Sequence, residues 1–161
     1  MDASPTRCLI LACGNSLRSD DAVGPVLCAW AEERFATDPQ VRALACQQWT
    51  PELAEDVAGA EAVIFIDCSA EAGPGIVQLT DVQPAPSYDA GKHHLDGAAL
   101  LAITQQLYGK TPYKAWQLTV GAACLELGEQ LSREVEAALP NARSLLELTV
   151  GFLLQPEPQR A

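Results

Sequence analysis

The run Ala62-Val63-Ile64-Phe65-Ile66-Asp67 is β-branched and aromatic, apolar throughout, and stops at a carboxylate. No polar residue alternates with the apolar ones. Read as a strand, it must be covered on both faces, which is the condition of a parallel sheet under helices. Cys8-Leu9-Ile10-Leu11-Ala12-Cys13 has the same character and is ended by Gly14-Asn15-Ser16. A helix is expected from about Asp20, because Val23, Val26, Leu27 and Trp30 recur at helical spacing. Pro25 sits near its start, where a missing N–H costs least. Strand and helix patterns that alternate in this way predict an α/β fold with a largely parallel sheet.

The remaining elements follow the same alternation. Val41 to Cys46 reads as a strand. Thr50-Pro51 reads as a cap and first helical residue, opening a short helix to about Val57. Gly73-Pro74-Gly75 turns the chain into a short strand, Ile76 to Leu79. Pro84 to Lys92 is a loop. Asp96 caps a helix that carries Leu100, Ile103 and Leu107. Trp116, Leu118 and Val120 alternate in a last strand that stops at Gly121. Leu131, Val135 and Leu139 line a helix that Pro140 is expected to break. A final helix carries Leu145, Leu148 and Phe152, with a frayed tail after Gln155. The whole span 1–161 reads as one domain.

The formal charge of −11 narrows the partners. Such a chain repels phosphate backbones, so no nucleic acid is expected. The charge suits a basic partner or a metal cation, and equally an ordinary acidic surface. No apolar stretch has the length of a membrane span. Met1 to Arg7 is short, polar and carries Asp2, unlike a secretory signal. A cytoplasmic protein, monomeric by default, is the expectation. Cys8, Cys13, Cys28, Cys46, Cys68 and Cys124 form no C-x-x-C pair and sit mostly in apolar segments. They read as reduced thiols rather than a zinc site or disulfide framework.

In open α/β sheets, ligands bind beyond the carboxyl ends of the strands. The polar residues that follow strands are Asn15, Asp20 and Asp21, then Asp67, then His93 and His94 in the long loop. Two acids and an imidazole from three loops could meet above one sheet edge. Each has a plainer alternative. Asp20 and Asp21 could stabilise a helix N-terminus. Asp67 adjoins an apolar strand and must be hydrogen-bonded, paired, metal-bound or exposed. The histidines could be loop or capping residues. G-x-S-x-G, H-E-x-x-H and the P-loop are absent, and without G-x-G-x-x-G a dinucleotide reading is weak; no tightly bound organic cofactor is expected.

The segment Gly14-Asn15-Ser16-Leu17-Arg18-Ser19-Asp20-Asp21-Ala22-Val23-Gly24 resembles the signature of the hydrogenase maturation endopeptidases. Gln48-Trp49-Thr50-Pro51-Glu52-Leu53, Val63 to Asp67, His93-His94-Leu95 and Gly121 to Pro140 are similar to its later sections, in the right order. Ser19 stands where the family often has Gly. The resemblance implies a phosphorylase/hydrolase-like three-layer sandwich, with a twisted sheet of about five strands and helices on both faces. It implies a protease that clips the C-terminal extension from the precursor of a [NiFe]-hydrogenase large subunit. Nickel would be supplied by that substrate, although other divalent cations could occupy the site. The residues that would engage the metal and carry catalysis are Asp21, Asp67 and His93. Asn15, Asp20 and His94 are secondary candidates. The competing expectations are a non-catalytic nickel-binding or chaperone-like module and an unrelated small-molecule α/β hydrolase, which would need a closed apolar pocket.

Overall fold

The computed structural model describes residues 5–86 and 95–156. Its elements, in order, are β1 (Thr6–Cys13), α1 (Val23–Arg34), β2 (Val41–Cys46), α2 (Ala54–Ala58), β3 (Ala60–Ser69), β4 (Val77–Asp81), α3 (Gly97–Tyr108), β5 (Lys114–Gly121) and α4 (Arg133–Leu153). The strands of the described residues form one sheet in the order β2-β1-β3-β5-β4. β1 pairs parallel with β2 and β3, and β3 pairs parallel with β5. Only the edge strand β4 runs antiparallel.

Alternation along the central strands divides the core. Cys8, Ile10 and Ala12 of β1 point to one face with Ile64 and Ile66 of β3, under α1 and α4. Leu9, Leu11, Val63 and Phe65 point to the other, under α2 and α3. Every one of these residues is fully buried. Each large apolar side chain removed from water contributes about 1.5–3 kcal/mol. The outcome is the expected three-layer α/β sandwich, with its largely parallel sheet covered on both faces.

From β1 the chain crosses to β2 on one side, then returns to place β3 on the other. The loops that leave β1 and β3 therefore diverge. A crevice opens over the carboxyl ends of these two strands, where such sheets bind ligands.

Three expectations need correction. Pro140 does not end a helix: α4 runs unbroken through it. Pro140 is exposed, so the Glu136 carbonyl that loses its partner lies on the solvent side, where water can serve it. The helix expected from Asp20 begins at Val23, after a 3₁₀ turn over Ser19–Ala22. Asp67 is not the last residue of its strand, because β3 continues to Ser69 and pairs Asp67 with Thr119 of β5. Asp96 caps α3 as expected, its Oδ1 accepting from the Ala99 amide at 2.8 Å.

Candidate active site

The turn after β1 is built by close backbone approach. Gly14 has φ +154°, and a Cβ there would collide with the carbonyl oxygen of Asp21. At Gly24 a Cβ would strike the carbonyl oxygen of Cys13, so the start of α1 can sit directly on the end of β1. The two glycines thus fold residues 14–24 back on themselves. Ser19 takes a left-handed φ of 52°, which is strained for a side chain with a Cβ. Glycine would take that conformation without strain. Here the strain is offset in part by the Ser19 hydroxyl, which donates to the Glu126 carbonyl at 2.7 Å.

The two adjacent acids part company. Asp20 is wholly buried. Its Oδ2 accepts from the amides of Ala123 and Cys124 at 2.8 and 2.9 Å, and its Oδ1 accepts from the Ser132 amide at 2.7 Å. Burial alone would raise its pKa, but these hydrogen bonds outweigh burial and hold it below the usual carboxylate value. Asp20 therefore leaves the list of site candidates. It fastens the β5–α4 connection and caps no helix.

Asp21 is half-buried and faces the crevice. Its Oδ2 accepts from the Asn15 amide at 2.7 Å. Asn15 is occupied in holding the turn, its Oδ1 accepting from the Leu17 amide at 2.9 Å. Asp67, also half-buried, reaches the same crevice from β3, and its Oδ1 accepts from the Cys68 amide at 2.7 Å. The crevice is a cleft of about 640 Å³.

Cys13 and Cys68 line the same cleft as the two acids. Burial pushes the Cys13 thiol well above its usual range, and the charge of Asp67, a hydrogen bond to Asp67 and the charge of Asp21 push it further. Burial, then Asp21, then Asp67 push the Cys68 thiol up to about 12. Both carboxylates thus act on the same two sulfurs. At neutral pH these cysteines are protonated in the free protein. Neither is poised as a nucleophile.

The sequence-based expectation omitted several of the cleft's residues. Cys13 and Cys68 adjoin Gly14 and Asp67 in the chain, so the rule of strand carboxyl ends could have found them. Arg18 and Trp49 also line the cleft. The indole N–H of Trp49 is buried and meets no acceptor among the described residues. His93 and His94 lie outside the described residues. Among the described residues, no group of three His, Cys, Asp or Glu side chains could hold a metal ion. Asp21 and Asp67 bring to the cleft two carboxylates, oxygen donors of the kind a divalent cation accepts. No helix of the described residues is long and apolar enough to cross a membrane.

No family model and no curated protein matches this chain. Solved structures do. The hydrogenase maturating endopeptidase HybD from Escherichia coli superposes with a TM-score of 0.72 at 23% identity, covering 89% of this chain and 91% of that one. The hydrogenase 2 maturation peptidase from a Thaumarchaeota archaeon gives 0.67 at 24% identity, covering 90% and 98%. The [NiFe] hydrogenase maturation protease HycI from Thermococcus kodakarensis gives 0.68 at 23% identity, covering 93% and 94%. Over nearly its whole length, then, the chain has the fold of the hydrogenase maturation endopeptidases.

Proposed function

We propose that this protein is an endopeptidase that removes the C-terminal extension from the nickel-loaded precursor of a [NiFe]-hydrogenase large subunit. The observation that carries the proposal is the convergence of Asp21 and Asp67, from two separate strand ends, on one cleft. The sandwich shared with hydrogenase maturation endopeptidases supports it.

In this scheme the nickel belongs to the substrate. Asp21, Asp67 and His93 are the residues that would hold it. The carboxylates bring the tail to a fixed place and so orient the scissile bond. A carboxylate oxygen not engaged by the metal takes the proton of the attacking water and returns it to the amine that leaves as the scissile C–N bond breaks. The bound metal would supply Lewis-acid polarisation of the carbonyl. The protein needs no organic cofactor, works as a monomer in the cytoplasm, and meets its partner with an acidic surface.

The test is to incubate the protein with an unprocessed large subunit, once nickel-loaded and once nickel-free. A mobility shift of the loaded subunit alone is the expected result. A stable complex without cleavage would instead make this a nickel-binding maturation module. No complex and no cleavage would end both ideas.

A further inference from the structure

The loop 122–131 and the turn 14–19 are zipped together beside the cleft. The Gly128 amide donates to the Leu17 carbonyl and the Ser19 amide to the Gly128 carbonyl, both at 2.9 Å. Arg18 and Gly128 form a parallel bridge, which sets Leu17 next to Leu127. Arg18 Nε donates to the Leu125 carbonyl at 3.3 Å. Arg18 and Leu125 line the cleft itself, so this rim is continuous with it. On the rim, Leu17 is 54% exposed and Leu127 is 87% exposed. Glu126 and Glu129, on either side of Leu127, are exposed as well.

We infer that this rim docks the folded body of the protein substrate, through an apolar patch on that partner bordered by basic residues. The inference rests on the processing reading and extends it from the tail to the surface that presents the tail. A specific protein contact buries about 800 Å² on each partner, more than a threaded tail can supply, so ground around the cleft mouth must be covered. The rim is that ground: its backbone is fixed before binding, which lowers the ordering cost of association. Its leucines provide the apolar centre and its glutamates the charged border. A second copy of this chain is disfavoured as the occupant, because each copy carries a formal charge of −11.

The experiment measures cleavage of a nickel-loaded, unprocessed large subunit by wild type, by the double variant Leu17→Ser/Leu127→Ser, and by Glu126→Lys/Glu129→Lys. The leucine variant should raise KM about tenfold and leave kcat within about twofold. The glutamate variant should raise KM less, with the difference from wild type shrinking as salt is added. Both replace exposed side chains, and their melting temperatures should stay near that of wild type. If wild type cleaves and neither variant changes KM, the rim inference falls while the processing reading stands. If wild type leaves the subunit intact, both fall. A concentration-dependent dimer of wild type that the leucine variant abolishes would assign the rim to self-association and overturn the inference.

Discussion

Asp20 and Asp21 are neighbours in the chain with opposite surroundings. The pocket of Asp20 is closed, and its carboxylate is held by three of this protein's own backbone amides and by the Ser132 side chain. The pocket of Asp21 is half open and shared with a second carboxylate. A charged group that spends its hydrogen-bonding capacity on the fold has little left for a ligand, whereas one held by a single amide keeps most of it. Residue type and position in the sequence do not distinguish the two. What differs is how many donors from distant segments reach each side chain.

The largest expected effect tests the open side. Asp21→Asn should lower precursor cleavage about a thousandfold, within the range for losing a catalytic acid or base. The melting temperature should barely move, because an amide oxygen can still accept from Asn15. Near-normal cleavage would remove Asp21 from the site. The closed side should fail differently. Asp20→Ala strands buried amides of Ala123, Cys124 and Ser132, and should lower unfolding free energy by about 3 kcal/mol in urea titrations. Unchanged stability would show that Asp20 is not the fastener described here.

A pH series separates the two acids more finely. The folded-state pKa of Asp20 lies below its unfolded value, so its stabilising contribution is present above the ordinary carboxylate range. It is lost as pH falls through the folded pKa. Urea midpoints of wild type should therefore drop on acidification, and those of Asp20→Asn should drop less. Parallel curves would contradict the assignment. The smallest effect belongs to Ser19, between the zipped loops. Ser19→Gly relieves the left-handed strain but forfeits the bond to Glu126. The net change should be within about 1 kcal/mol of wild type by thermal melting. A loss well beyond that would mean the hydroxyl matters more than the backbone.

Much of the architecture was legible because the central strands are unmixed in character. Ala62 to Ile66 and Cys8 to Cys13 could only be covered on both faces, and that alone implies helices above and below. The helix start near Asp20 was misplaced because an acidic pair before an apolar helix looks like a cap. Its true partners lie more than a hundred positions away, where local pattern carries no information. Pro140 misled for a related reason. A proline breaks a helix only if the loss of one bond outweighs packing, and the burial of Val135, Leu139, Ala142 and Leu146 on one face of α4 decides that question. Asp67 was visible as a carboxylate that an apolar strand does not need. The thiols around it were not, because cysteine in a strand reads as filler until the fold shows what stands beside it.

The clasp around Asp20 has a consequence for how the protein is made. The turn bearing Asp21 is translated well before its neighbour's amide partners, which include Ser132, 112 positions further along the chain from Asp20. A ribosome that has released β1 to β3 has therefore made the residues of the turn without the groups that fasten it. The cleft, on this account, stays unfastened until the start of α4 has been made.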